Sequence, residues 1–130
     1  MKAQELRLGN LISIKDLANG YKKIESIIEL GVKATRLGPI KVICEYDDIQ
    51  PIPLTEEWLL KFGFKSDGTW IILRSIHVDL AWFKPANHQH KGNIYIEKDN
   101  EISHGVNCEY VHQLQNLYFA LTVEELLIKQ

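Results

Sequence analysis

Over residues 6–50, apolar residues occur in short runs that are separated by turn-forming residues. Runs of this kind, rich in Ile and spaced by about ten residues, are typical of strands in a small, strongly curved sheet. The stretch Tyr21–Leu30 admits a helix, but it follows the hairpin dipeptide Asn19-Gly20 and contains three Ile, so we favour a strand. The pattern predicts an SH3-like mini-barrel module over residues 1–50.

The pattern changes at Pro51–Pro53, where two prolines predict a rigid, extended joint. A helix is predicted next: Thr55 suits its N-cap, the two following glutamates complement its positive end, and Gly63 suits its C-terminal cap. An apolar stripe on this helix should face a core. The stripe consists of Trp58, Leu59 and Phe62.

Residues 54–130 are predicted to form an α-β-β-β-α module, a helix, a three-stranded antiparallel sheet and a second helix. The strand signals are the apolar or alternating runs Trp70–Leu73, Ile76–Phe83 and Asn93–Glu97. Apolar residues then recur at helical spacing from Val111 to Leu121. Thr122 and Glu125 fit a capping box, which predicts either a further short helix or a kinked continuation. The predicted fold class is therefore α+β.

Composition is that of an ordinary globular protein, with 45% hydrophobic and 25% charged residues in a chain of 130. The formal net charge of −2 argues against a dedicated duplex-DNA binder, which usually carries a strong basic excess. No apolar run is long enough for a membrane helix, and the first residues lack the pattern of a signal peptide. With two cysteines and no CxxC pair, we expect free thiols and a cytoplasmic location.

No nucleotide-binding glycine loop or other catalytic motif is present, so we expect neither an enzyme nor a cofactor. Cys44 lies in an apolar strand pattern, while Cys108 precedes a helix whose dipole would lower its pKa. His88 and His90 have a spacing that a metal site can use, but the surrounding residues are those of a polar loop tip. We therefore predict no metal.

Two surfaces are candidate binding sites. Lys84, His88, His90 and Lys91 form a basic loop that suits a small, nucleotide-like anion, as in a sequestering anti-defence protein. Basic residues of the first module leave weak nucleic-acid binding as a further alternative.

Aromatic residues suggest the other surface, because nearly all of them follow Pro53. Trp82 and Phe83 are adjacent, so both rings cannot lie on one face of a sheet, and Phe119 falls outside the helical stripe. We expect a protein partner or a second copy of the chain, in a homodimer, to cover such rings.

Three segments together resemble a family of short uncharacterised proteins encoded by bacteriophages and integrated mobile elements of anaerobic gut-type bacteria. The segments are Glu5–Leu11, Pro51–Phe64 and Val111–Thr122. The resemblance implies an accessory gene of mobile DNA, a setting in which inhibitors, adaptors and anti-defence binders are common. Together with the aromatic residues, it predicts a non-catalytic binding protein that engages a protein partner.

Overall fold

The computed structural model describes residues 3–14, 21–27, 31–35, 41–76, 78–83, 93–99, 101–102 and 105–129. The strands of the N-terminal part are β1 (Leu11–Ile14), β2 (Lys22–Ile27), β3 (Gly31–Thr35), β4 (Lys41–Glu45) and β5 (Ile49–Gln50). The later strands are β6 (Lys65–Asp67), β7 (Trp70–Arg74), β8 (Asp79–Phe83), β9 (Asn93–Lys98), β10 (Glu101–Ile102) and β11 (Val106–Asn107). The helices are α1 (Glu56–Lys61) and α2 (Val111–Thr122), with single 3-10 turns at Ala3–Glu5 and Tyr46–Asp48.

The protein is of the mixed α+β class, with antiparallel sheets, as the sequence predicts. It divides into two compact units. The first unit is Met1–Pro53 with Tyr110–Asn116, and the second is Leu54–Glu109 with Leu117–Gln130. The boundary after Pro53 lies at the predicted joint, whereas residues 110–116, assigned to the C-terminal module by the sequence, cluster with the N-terminal strands.

In the first unit, the strands lie in the order β4-β3-β2-β1-β5. The register between β2 and β3 shifts by one residue at Glu25, which marks a bulge in β2. The interpretation of Tyr21–Leu30 as a strand is confirmed over Lys22–Ile27. Buried side chains from β1, β2, β5 and the segment before β1 form one apolar cluster. Its members are Leu6, Ile12, Ile14, Ile24 and Ile49, with Tyr46 packed against them.

In the second unit, the strands lie in the order β10-β9-β8-β7-β6, and β11 pairs with the same edge of β9 as β10. The three predicted strands are present, although β8 starts at Asp79 because Ser75 and Val78 hydrogen-bond to each other in a turn. The sheet is larger than the predicted three strands. Strands β6, β10 and β11 are short and mostly polar, so they lack the apolar alternation that marks a strand in a sequence.

Helix α1 begins and ends as predicted. The Trp58 N–H donates to Thr55 Oγ1 at the N-cap, and Gly63 follows the helix with a φ of 94°. Hydrogen bonds from Gly63 N to Leu60 O and from Phe64 N to Leu59 O complete a Schellman motif. Leu59, Phe62 and Phe64 are buried, so the cap also directs apolar side chains into the core of this unit.

The end of α2 differs from the prediction. Thr122 is the last residue of the helix and donates its Oγ1–H to Tyr118 O, while the same oxygen accepts the N–H of Glu124. Val123 has a φ of 60° and turns the chain away from the helical path. The capping-box interpretation of Thr122 and Glu125 is therefore wrong: no further helix begins there among residues 123–129.

Candidate functional site

Of the predicted binding residues, Lys84, His88, His90 and Lys91 lie outside the described residues. The three aromatic positions can be located. Trp82 is only 6% exposed and pairs across the sheet with Ile71 and Ile94, which are fully buried, so its assignment to an interaction surface is wrong. Phe83 is the next residue of β8, opposite Trp70 in the register, and Phe119 is half-buried on α2.

The face of the second unit's sheet that lies opposite its buried side chains is a better candidate. We call it the outer face. Cross-strand partners share a face of an antiparallel sheet, so the register identifies its members on β6, β7, β8 and β9. They are Lys65, Asp67, Trp70, Ile72, Arg74, Asp79, Ala81, Asn93, Tyr95 and Glu97. Their neighbours Ile71, Leu80, Trp82 and Ile94 point to the buried side.

The centre of the outer face is apolar and aromatic. Ile72, Ala81 and Tyr95 are cross-strand partners, and all three are half-buried. The rings of Trp70 and Tyr95 meet edge to face with centroids 5.5 Å apart. Beside this pair, a Cβ at Gly105 would come within 3.2 Å of the Tyr95 ring. The missing side chain thus leaves room for the tyrosine, which is fixed between a tryptophan and a glycine.

Charged residues lie along one end and one edge of this apolar centre. One row across the strands contains Arg74, Asp79 and Glu97, and Arg74 Nη1 lies 3.3 Å from Asp79 Oδ2. The same row continues to Ile102 on β10, whose side chain is 69% exposed. At the opposite edge, a surface hollow of about 360 Å³ adjoins the outer face. It is lined by Gly63, Lys65, Asp67, Ile72, Leu73 and Arg74.

A second cluster of polar side chains is buried in the first unit, where it joins the N-terminal segment to the first half of α2. Gln115 accepts the N–H of Leu11 at 2.8 Å and donates to the carbonyl of Gly9 at 3.2 Å. Asn116 accepts from the Asn10 amide at 2.8 Å and from Arg7 Nε at 3.2 Å. The side chains of Asn10 and Gln115 are almost completely buried.

These amides give the cluster a structural role, because they satisfy backbone groups that the sheet leaves unpaired. A helical pattern does not reveal this role, because Gln115 and Asn116 fall outside the apolar positions that recur along α2. A signal was present, because the contacts connect two of the three segments that carry the family resemblance, Glu5–Leu11 and Val111–Thr122. The third segment also contributes: Ile52 O accepts the N–H of Val111.

His112 lies in the first turn of α2 and is 1% exposed. Its ring stacks on Tyr110 with a centroid distance of 6.0 Å, and its Nδ1 has no hydrogen-bond partner among the described residues. Burial lowers the pKa of His112 below its ordinary value, and the nearby negative charge of Glu5 opposes part of that decrease. The imidazole is therefore neutral near pH 7.

Cys108 is not activated as a nucleophile, and the described residues contain no metal cluster. Cys108 is a free thiol that is 2% exposed, and burial raises its pKa to about 11. The expectation that a helix dipole would lower this pKa is wrong, because desolvation of the thiolate dominates. Over the same part of the chain, no three His, Cys, Asp or Glu side chains are grouped to hold a metal ion. None of the helices described is long and apolar enough to span a membrane.

The candidate site is thus a surface for association, formed by the outer face and its charged border. Comparison of the chain with protein-family models, with curated proteins and with solved structures finds no match.

Proposed function

We propose that this protein is a non-catalytic accessory binding protein of phage or mobile-element origin, acting in the cytoplasm, and that it engages a protein partner through the outer face. One observation carries the proposal: a half-buried aromatic and apolar centre, Trp70, Ile72, Ala81 and Tyr95, is bordered by charged residues of both signs. Protein interfaces have this anatomy, an apolar and aromatic centre with a polar rim.

The edges of the same sheet are less suited to binding by strand addition. Strand β6 is three residues long, and all three of its residues are exposed and polar or charged. At the other edge, the register against β9 shifts by one residue between Ile102 and Val106, so β10 and β11 do not form one continuous edge. Short, charged or irregular edges discourage an added strand, which favours the face over the edges as the binding surface.

We also propose that the strands of the first unit close into an SH3-like mini-barrel. The order β4-β3-β2-β1-β5 supports closure, because the last strand of this unit pairs with the first. The 3-10 turn Tyr46–Asp48 supports it as well, since it lies between β4 and β5 and reverses the chain toward β1. Small barrels of this kind avoid exposed strand edges by bringing their first and last strands together.

Affinity purification of the tagged full chain from the organism that encodes it tests the proposed function. The wild type should recover a specific protein, identified by mass spectrometry, that then binds the purified chain in a titration. The variant Ile72→Asp, checked for folding by circular dichroism, should lose at least about tenfold in affinity, as expected for the centre of an interface. Glu97→Arg alters the border alone and should give a smaller loss.

Leu60→Asp is the matched control. Leu60 is an apolar residue on α1 that is 46% exposed, and it is not one of the residues that form the outer face. This variant should bind like the wild type. A partner that binds Ile72→Asp and Glu97→Arg as tightly as the wild type would rule out the outer face as the binding surface.

A further inference from the structure

The outer face has a charge and shape pattern that complements itself. Strand β8 lies in the middle of the order β10-β9-β8-β7-β6, so a twofold axis along β8 would place β7 over β9 and β6 over β10 of a second copy. Two sheets stacked about such an axis keep their strands nearly aligned, which is the common arrangement of packed sheets. Each residue on one side of β8 then faces, in the other copy, the residue on the opposite side of β8 at the same position along the strands.

At the centre, this operation puts apolar residues on apolar residues. Ile72 on β7 and Tyr95 on β9 are both cross-strand partners of Ala81 on β8. Ile72 of one copy therefore meets Tyr95 of the other, while the two Ala81 residues meet at the axis. The small side chain at the axis allows close approach where two bulky ones would separate the sheets.

The border is complementary under the same operation. In the row Arg74–Asp79–Glu97, the cation lies on β7 and an anion lies in the equivalent place on β9. Arg74 of one copy consequently meets Glu97 of the other, and this ion pair occurs twice. The two Asp79 carboxylates near the axis each keep their own Arg74, 3.3 Å away, which offsets their mutual repulsion.

A projecting side chain and a hollow also coincide. Ile102 on β10 belongs to the row that contains Glu97 and Arg74, and it is 69% exposed. The twofold axis carries it over the start of β6, where the hollow of about 360 Å³ opens beside Gly63. An exposed isoleucine at one edge thus faces an unfilled hollow at the other.

We propose, resting on the proposed function of the outer face, that its occupant is a second copy of this chain in a face-to-face homodimer about β8. The area of the outer face indicates how strongly the two copies associate. Four strand spacings by five residues give a projected area of roughly 330 Å² per copy. This is well below the 800 Å² or so that each partner buries in a standard interface, so the dimer is weak and reversible.

Sedimentation velocity on the full chain, over about 5 to 500 µM, tests the dimer. The wild type should shift from monomer to dimer across this series. Ile102→Lys should raise the dissociation constant at least about tenfold, because it places a cation in the hollow of the second copy, which Lys65 and Arg74 already line. The control Leu127→Lys changes a comparably exposed residue, 57% against 69%, outside the sheet and should dimerise like the wild type.

Charge reversal tests the axis itself. In a dimer of Arg74→Glu, two glutamates would face each other at each contact. In a dimer of Glu97→Arg, two arginines would face each other, so each variant should remain a monomer. Mixed together, the two variants restore opposite charges at both contacts and should form a heterodimer, visible by native mass spectrometry. Lys98→Glu reverses a charge at the adjacent position of β9, on the other face, and should not affect association.

A wild type that stays monomeric throughout the series overturns the dimer, as does a mixture of the charge variants that forms no heterodimer. A dimer that Ile102→Lys leaves intact overturns it too. These failures are distinct from failure of the proposed function, because a monomeric chain that loses a different protein partner on Ile72→Asp still uses the outer face.

Discussion

The two units are stabilised in different ways. In the first, a small apolar cluster is supplemented by side-chain amides that connect residues 104 to 111 positions apart in the chain. In the second, large apolar side chains fill the interior, and local devices such as the Thr55 cap and the Schellman motif fix the ends of α1. Directed polar contacts specify one arrangement but cost free energy if a single partner is lost, whereas apolar burial depends mainly on volume.

This difference can be measured because the chain carries a separate reporter for the second unit. All three tryptophans, Trp58, Trp70 and Trp82, belong to it. Tryptophan fluorescence therefore follows the second unit during unfolding in urea, while hydrogen exchange of amides in β1 and β2 follows the first.

The largest effect is expected from Phe62→Ala in the second unit. Phe62 is completely buried and its ring lies 5.9 Å from that of Trp58, so truncation leaves a cavity. The free energy of unfolding from tryptophan fluorescence should fall by about 3–5 kcal/mol. The control Leu60→Ala, on the exposed side of the same helix, should change it by about 0.5 kcal/mol or less. A loss below about 1 kcal/mol for Phe62→Ala would contradict the account of this core.

Gln115→Leu should have the next largest effect, and it acts on the first unit. Leucine has a similar size, but it leaves the N–H of Leu11 and the carbonyl of Gly9 without their partner in a buried place. We expect a loss of about 2–4 kcal/mol, with faster hydrogen exchange at Leu11 than in β7. Gln50→Leu, at an exposed position of β5, is the control. Equal losses in both variants would show that the amide contacts carry no stability.

Acid should weaken the first unit through His112. Its folded-state pKa is lowered, so the unfolded chain binds the proton more readily. The stability is fully present above the ordinary histidine pKa and is lost as the pH falls below it. His112→Leu removes the titration, and the difference between wild type and variant in urea unfolding should decline with acid. Glu5 opposes the shift, so Glu5→Gln should steepen the decline. A difference that does not vary with pH would exclude this coupling.

The smallest effect is local to α1. Thr55→Ala removes the acceptor for the Trp58 N–H and should cost about 1 kcal/mol in the fluorescence signal of the second unit. Thr55→Ser keeps a hydroxyl in the same place and should retain most of that stability. If alanine and serine behave alike, the cap contributes nothing and the helix is held by its buried stripe alone.

The sequence predicts the features of this structure that depend on residues close together in the chain, and it does not predict those that depend on distant residues. Thr55, Gly63 and the three longer strands of the second unit were predictable because caps and alternation act over a few residues. The role of Gln115 was not predictable, since its side chain hydrogen-bonds to Gly9 and Leu11, which lie more than a hundred positions away. A helical pattern alone assigns such a residue to solvent.

The sequence indicated that aromatic residues would form a binding surface, but it did not identify the residues of the outer face. Adjacent aromatics on β8 indicated that one ring would leave the core, but the sequence does not say which, and the structure shows that Trp82 is buried. The run Trp70–Leu73 is apolar at every position, so it gives no hint that Trp70 and Ile72 share a face with Tyr95. Cross-strand register determines that, and register depends on pairing between distant parts of the chain.

The division of α2 between the two units has a consequence for how the protein is made. Residues 110–116 belong with strands that leave the ribosome long before them. During synthesis, the carbonyl of Gly9 and the N–H of Leu11 remain hydrogen-bonded to water until Gln115 has left the ribosome. A nascent chain halted before residue 110 would contain all the strands described above and would still lack the residues that complete the first unit.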